Sequence, residues 1–545
     1  MVQDYLIEKG GFEKARCIQG CPAGINVPRY MRLVTEGKYS EAISVIREDA
    51  PFPGVLAYVC PAFCELRCRR SEIDEPVAIN AIKRFLIEKA GNLKEPLASF
   101  QSSGKSVAVI GSGPAGLTAA YFLAKSFGHR VTVFEAMPVA GGMMRLGIPD
   151  YRLPKHLLDA EIKLIKKLGV KIKTNAVVKS PDFLLDRGYD AVFIAVGAWS
   201  GSKLHIDGED QPGVFDGISF LKKINLGQKI KLGKRVAVIG GGNVAIDAAR
   251  VACRLGAKEV NVFYRRTRKE LPSRPNEVDQ ALEKRVHFTF LTSPNKILKK
   301  KSALYVEFTR MSLGKKDAGG RRESKPISGT EFTIGFDNVI VAVGERPDIP
   351  SGFSLATDIG NNIGVDPVTL ATSKKAIYAG GDCVTGPSSV IEAIAAGKKA
   401  AIYIDKFLGG RGIIEKSLLN RGEDGGEPWD ESILEIPRQR MPLLDIGARM
   451  KSFDIVELGF TSDMALKEVQ RCLRCDLHFP IKVDLSKCVE CYSCQTICSL
   501  IYQNGCNPEK ANIIVDLSNG TRFSTECVGG CMSCIRNCYA KAIAV

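Results

Sequence analysis

Eight cysteines near the carboxyl end fall into two runs of nearly equal spacing: Cys488, Cys491, Cys494 and Cys498, then Cys527, Cys531, Cys534 and Cys538. Thiolates spaced this way can gather around inorganic centres, either iron–sulfur clusters or, as the structural alternative, zinc. A second set lies at the amino end, with Cys17 and Cys21 in CIQGCPAG and Cys60, Cys64 and Cys68 in CPAFCELRC. A helical hairpin separates the two segments, so their thiolates can converge on one cluster; C-x3-C is not the usual zinc pairing. Cys472 and Cys475, in QRCLRCD, either form half of a metal site with Cys506 and another ligand or are plain thiols.

The chain holds 18 cysteines, of which only Cys253 and Cys383 occupy the long middle. A disulfide framework would not leave the largest part of the chain bare. No apolar run approaches the roughly 20 residues that cross a bilayer, and the first residues lack a secretory pattern, so a reducing cytoplasmic setting is expected. Metal ligation is the consistent use of the clustered thiols. Cys253 and Cys383 read as small buried residues.

Two glycine-rich motifs carry a different chemistry. In SVAVIGSGPAGLTAAYFLAKSFGHRVTVFEA, Gly111, Gly113 and Gly116 stand between an apolar strand and a helix, and Glu135 ends the next strand. Gly111 permits the tight turn, Gly113 lets backbone approach a pyrophosphate, and Gly116 lets the helix lie close to the strand. Pro114 and Ala115 open the helix, whose N-terminus faces the phosphates, while Glu135 can accept ribose hydroxyls. In RVAVIGGGNVAIDAARVACRLGAKEVNVFYRR the design repeats with Gly240, Gly242, Asn243, Val244 and Ala245, but the second strand ends in Tyr264, Arg265 and Arg266. Guanidinium groups suit a 2′-phosphate, which favours NADP over NAD.

These motifs need elements to hold them. The first hundred residues show apolar positions at helical spacing in INVPRYMRLVTEGKYSEAISVIRED and PVAINAIKRFLIEKAGNL. From Val107 to about Leu408, strands such as VAVIG, VTVFE, AVFIAVG, VAVIGG and NVIVAVG alternate with helices, the signature of doubly wound parallel sheets. The run GKKDAGGRRESK, at 314–325, reads as a solvated turn between strands. The expected architecture is multidomain α/β: a helical iron–sulfur domain at 1–100, an FAD domain at 101–205 and 345–410, an NAD(P) domain at 206–344 inserted within it, a linker or wrapping segment at 411–470, and an α+β ferredoxin-like domain at 471–545. A composition of 45% hydrophobic and 25% charged residues is ordinary for a globular protein. The net charge of +16 is spread along the chain, which disfavours nucleic acid and fits an acidic protein partner better.

GGMMRLGIPDYRLP (141–154), AVGAW (195–199), AVGERPD (342–348) and YAGGDCVTGPSSVIEAIAAGKKAA (378–401) resemble the FAD-domain signatures of the glutamate synthase small-subunit family. That family includes the amino-terminal part of dihydropyrimidine dehydrogenase and the large subunit of an NADH-dependent ferredoxin:NADP oxidoreductase. The resemblance runs from about Cys17 to Cys475. It implies a flavin held by Gly141, Gly142, Arg145, Gly197, Gly344, Gly381 and Asp382 beside the first glycine motif, with hydride passing from nicotinamide to flavin and electrons leaving singly. Relatives with two amino-terminal clusters carry a further C-x2-C pair ahead of the position of Cys17, which this sequence lacks. In them, thiols matching Cys17 and Cys68 serve one cluster with that pair, and thiols matching Cys21, Cys60 and Cys64 serve the other with an oxygen ligand. One amino-terminal [4Fe–4S] cluster is therefore expected, with its fourth ligand open. At the carboxyl end, resemblance to bacterial two-cluster ferredoxins assigns Cys488, Cys491, Cys494 and Cys538 to one cluster and Cys527, Cys531, Cys534 and Cys498 to the other.

The expected function is that of an FAD-dependent oxidoreductase moving electrons between NADP(H) or NAD(H) and a partner redox protein, through about three [4Fe–4S] clusters. Side chains are not expected to act as acid or base, since the cofactors carry the chemistry. The partner would be a ferredoxin or another subunit of a hetero-oligomeric complex, with tungsten- or molybdenum-containing oxidoreductases as candidates. Two alternatives are a glutamate synthase small subunit and a non-catalytic electron-wiring subunit.

Overall fold

A computed structural model describes residues 15–90, 101–283, 286–301, 303–316, 321–414 and 435–475, together with the strand backbones 482–483, 513–516, 520–523 and 543–544. The amino-terminal part is helical: α1 (Val27–Thr35), α2 (Tyr39–Arg47), α3 (Pro53–Val59) and α4 (Ile79–Ala90). The Asn26 side chain caps α1 by accepting from the Arg29 amide at 3.2 Å. One face of α1, with Val27, Tyr30, Met31 and Val34, is buried. The first turn of α3 is capped from outside, since the Glu161 carboxylate accepts from the amides of Gly54 (2.5 Å) and Val55 (3.2 Å).

Two parallel sheets follow. The first is built from β1 (Ser106–Ile110), β2 (Arg130–Phe134), β3 (Lys171–Lys173), β4 (Ala191–Ile194) and a last strand, Ile377–Ala379, in the order last–β4–β1–β2–β3. The second comprises β5 (Val214–Asp216), β6 (Arg235–Ile239), β7 (Glu259–Tyr264), β8 (Val286–Phe290) and the strand Asn338–Val341. Its chain segment lies wholly between β4 and Ile377–Ala379, so the second nucleotide fold is inserted into the first. Between β8 and Asn338–Val341 runs an antiparallel meander of Thr292–Lys300, Ala303–Lys316, Arg322–Pro326 and Phe332–Phe336. The turn between strands read at 314–325 lies in this sheet, between Ala303–Lys316 and Arg322–Pro326; the rest of the antiparallel sheet was not read from the sequence, although Leu304, Val306 and Phe308 point alternately inward from one strand.

The cores show how these parts are coupled. One continuous apolar cluster runs from Tyr30, Phe52 and Phe85 of the helical part into Val107, Leu117 and Ile391 of the first sheet and its helices. The inserted sheet has a separate core around Val236, Val262 and Ala248. Across the seam, Arg152 pairs with Asp247 and Glu277, each at 2.6 Å, and the Tyr151 hydroxyl donates to Asp247 at 3.1 Å. The amino-terminal helices thus share a rigid core with the first nucleotide fold, while a knot of buried charge joins the second to them.

Residues 435–475 pack back on the beginning of the chain. The helix Ser462–Gln470, capped by Thr461, lies against α1 and α4. Its Glu468 accepts from the Ala78 amide at 2.7 Å. The strands Ile513–Asp516 and Gly520–Phe523 pair antiparallel. Among the described residues no helix is long and apolar enough to cross a membrane.

Candidate functional site

A cleft of about 1260 Å³ opens between the two sheets and is walled by both glycine motifs. At the first motif, a Cβ on Gly116 would stand 2.1 Å from the Gly111 carbonyl oxygen, so only glycine lets the helix Pro114–Lys125 approach so closely. Gly113 and Gly242, in contrast, face open space, with nothing within 4 Å of a Cβ built on either. Each therefore bares backbone at the head of a twelve-residue helix, where an extended pyrophosphate can lie against unpaired amides. The geometry fits one dinucleotide at each motif.

Glu135 ends β2 at the cleft, as expected. Its carboxylate also accepts from the Ser112 amide at 2.9 Å and the Met137 amide at 2.8 Å, which fixes its orientation. Gly111, Pro114, Ala115, Gly142, Gly197, Gly344 and Asp382 line the same cleft, as do Gly240, Asn243 and Val244 of the second motif. Gly116, Ala245, Gly141 and Gly381 do not. Gly141 instead secures its loop, its amide donating to Ser112. Gly381 precedes Asp382 with φ +75°, and its Cβ position lies 2.9 Å from that of Ala115. Arg145 also stays out of the cleft, engaged by the Ala140 carbonyl and by Asp159.

Arg265 and Arg266 reach the cleft together with Tyr264, and Arg321 joins them from the far end of the meander. Sequence reasoning missed Arg321, because only the hairpin brings it there. Trp199, Arg152 and Glu345 on the wall lie within the quoted signatures AVGAW, GGMMRLGIPDYRLP and AVGERPD but were not singled out there. Burial, followed by the nearby carboxylates of Asp216 and Asp382, raises the Glu345 carboxyl to about 7. Burial likewise raises Asp382. Among the described residues no cysteine lines the cleft. Cys383 is fully buried below it, its thiol directed to the Gly380 carbonyl at 3.3 Å, in keeping with a structural role. Cys253 packs against the core of the second fold.

Two nests of thiols lie beside the cleft. Cys21, Cys60 and Cys64 line one, with Tyr30, Lys83 and Ile391. Two observations fit this nest to an iron–sulfur cluster. The donors are all thiols, and the fully buried Tyr30 hydroxyl has no hydrogen-bond partner, which an inorganic sulfide or cysteine sulfur would supply. The positive φ of Ala62, +59°, turns the chain between Cys60 and Cys64. Val59 and Pro61, on either side of Cys60, are themselves part of the cleft wall. Likewise, Ile391 faces the nest while Val390, Glu392 and Ala393 in the same helical turn face the cleft.

The second nest gathers Cys17, Cys68, Cys472 and Cys475. Among the described residues no three His, Cys, Asp or Glu side chains are disposed to hold a single metal ion. The eight cysteines from Cys488 to Cys538, and Cys506, lie outside the described residues.

Residues 105–397 match the family described as pyridine nucleotide-disulphide oxidoreductase. Residues 12–94 match dihydropyrimidine dehydrogenase domain II, 4Fe-4S cluster. The NADP(+)-dependent formate dehydrogenase subunit beta of Moorella thermoacetica is 40% identical over 508 residues, covering 85% of this chain and 71% of that protein. The NADPH-Fe(3+) oxidoreductase subunit beta of Geobacter sulfurreducens is 35% identical, covering 85% and 75%. The small chain of glutamate synthase [NADPH] from Escherichia coli is 33% identical, covering 72% and 88%.

Proposed function

The chain belongs to the pyridine nucleotide-disulphide oxidoreductase family and carries a 4Fe-4S domain of the dihydropyrimidine dehydrogenase type, and from that membership we propose how its residues divide the work. It is an FAD-dependent NAD(P)H oxidoreductase. Gly111, Gly113 and the head of the helix Pro114–Lys125 hold the flavin nucleotide, with Glu135 on its ribose. Gly240, Gly242, Asn243 and Val244 hold the nicotinamide nucleotide, and Arg265, Arg266 and Arg321 receive a 2′-phosphate. When bound, FAD takes a hydride from the nicotinamide and gives up the two electrons one at a time. The residues supply orientation and dryness; no acid or base is needed.

The observation that carries this reading is the position of Cys60. Its neighbours Val59 and Pro61 wall the cleft while its thiol enters the nest with Cys21 and Cys64, so one residue separates the two compartments. A cluster held by Cys21, Cys60 and Cys64 would lie at the wall of the cleft, placed to take electrons from a flavin bound there. The shared core of the helical part and the first nucleotide fold holds that distance fixed. The names of the relatives, all NADPH- or NADP-dependent and all single subunits of larger assemblies, support NADPH and a partner subunit. The formate dehydrogenase relative favours a partner that oxidises or reduces a small substrate, with a tungsten or molybdenum centre belonging to it. Within this proposal the carboxyl-terminal thiols at 488–538 form the ferredoxin-like exit, and the domains divide near the boundaries the sequence suggests, except that 471–475 pack with the amino-terminal helices. The absence of a cysteine on the cleft wall, among the described residues, supports electron delivery to clusters over thiol–disulfide exchange.

Changing Cys60 to Ser tests the reading. Flavin should still be bleached by NADPH, but low-temperature electron paramagnetic resonance should show one cluster signal altered or lost. Unchanged cluster signals would remove Cys60 from the route.

A further inference from the structure

We propose that Cys17, Cys68, Cys472 and Cys475 together hold a second amino-terminal [4Fe–4S] cluster, completed by a cysteine pair from the opposite end of the nucleotide-binding region. The proposal rests on the electron-transfer reading above but makes a claim about composition that stands apart from it. The sequence lacks the pair of thiols that would precede Cys17, which leaves Cys17 and Cys68 as half a ligand set. The fold brings the other half from about 400 positions away, and all four thiols line one cavity.

Several features hold this arrangement. Cys17 and Cys68 are half-buried, and Val27, Pro28 and Met31 of α1 complete the wall around the four thiols. Arg70 and Arg471, both fully buried, share the carboxylate of Asp74: Arg70 at 2.7 and 3.0 Å, Arg471 at 3.0 and 2.9 Å. Arg70 lies two residues beyond Cys68, and Arg471 immediately precedes Cys472. One carboxylate thus locks the two halves of the nest to each other. Arg471 is fixed further by Glu468 at 2.7 Å and by the carbonyls of Glu75 and Ile436 at 2.7 and 3.0 Å. Arg474, with φ +44°, turns the chain so that Cys475 follows Cys472 into the cavity.

Zinc held by the same four thiolates is the chemical alternative. Zinc draws its thiolates to about 2.3 Å, hence to within roughly 4 Å of one another. A cube of four irons and four sulfides also takes four thiolates, one at each iron, so the metal content decides between the two. The location also suits a relay. Val27 lines both nests. From Cys475 the chain leads to Cys488, thirteen positions on, where the carboxyl-terminal runs begin.

The test counts iron and acid-labile sulfide per chain in the full-length protein prepared without oxygen. With about four irons per cluster, the four-cluster composition predicts roughly 16 irons in the native protein, against roughly 12 for three clusters. The double variant C472S/C475S should lose about four irons and four sulfides while keeping its FAD, and C253S should lose none. If the double variant does not fold, the native count alone decides. A native count near 12, an unchanged iron content in the folded double variant, or one zinc in place of the four irons would overturn the proposal. Flavin bleaching by NADPH in the native protein is read separately: its failure would sink the enzyme reading and leave the iron count standing.

Discussion

The guanidinium of Arg274 donates to the carbonyl of Val59 at 2.8 Å, joining the inserted nucleotide fold to the peptide that precedes Cys60. Arg274 and Val59 both line the cleft. A hydrogen bond from a charged donor contributes about 1.5–3 kcal/mol. If the contact aligns the nicotinamide fold with the cluster side of the cleft, R274A should slow NADPH-dependent cluster reduction by roughly 10-fold or more, since each ~1.4 kcal/mol is a factor of ten. Stopped-flow absorbance on the native and variant proteins reads this directly. An unchanged rate would make the contact merely structural.

Arg265 stands at the end of β7 on the cleft wall, where the first fold has Glu135. Replacing it with alanine should lower kcat/KM for NADPH by roughly 10-fold or more, the value of a charge-assisted phosphate contact. NADH, which has no 2′-phosphate, should be affected little. Equal losses for both nucleotides would remove Arg265 from phosphate recognition.

Gly397 sits where the helix Val390–Phe407 crosses the helix Pro114–Lys125. A Cβ there would stand 2.2 Å from the Ala115 carbonyl oxygen and 2.9 Å from the Thr118 Cβ, both on the helix that heads the flavin site. G397A should force the helices apart at a cost of about 1–3 kcal/mol and weaken FAD retention. Thermal unfolding followed by flavin fluorescence should show a lower midpoint and earlier flavin release. A native-like midpoint would mean that the crossing can yield.

Burial raises the carboxyl of Glu161 to about 7, against the opposing pull of the Gly54 amide, Arg47 and the Val55 amide. Between the ordinary carboxylate value and about 7 the folded state therefore binds more protons than the unfolded one. This contribution should be fully present below the ordinary carboxylate value, be lost as pH rises across that window, by at most about 3 kcal/mol, and level off above about 7. E161Q, a permanently neutral mimic, should flatten this dependence between pH 5 and 8 in denaturant titrations. A slope equal to the native one would show that Glu161 is not its source.

Much of the architecture was legible because its signals are local. The glycine motifs, their flanking strands and the closing acid or arginines lie within about thirty residues of each other, and the interruption of one fold by the other follows from their order. The amino-terminal helices likewise declared themselves by the spacing of Val27, Tyr30, Met31 and Val34. What escaped is what the fold alone brings together. Cys472 and Cys475 carry no sign that they belong with Cys17 and Cys68, because the contact is made by Arg471 and Asp74 across 397 positions. Arg321 lies in the turn read at 314–325, but only the fold carries that hairpin to the cleft. Arg145, taken from resemblance, is held by Asp159 outside the cleft wall because its loop closes on Ala140.

The central claim is that hydride enters at the cleft and electrons leave through clusters beside it. The most direct measurement mixes the native protein rapidly with NADPH in the absence of oxygen, follows flavin absorbance, and freezes samples for low-temperature electron paramagnetic resonance. The account predicts that the flavin is bleached first and reduced cluster signals grow afterwards, faster with NADPH than with NADH. Failure of both nucleotides to bleach the flavin, or bleaching with no cluster ever reduced, would contradict it.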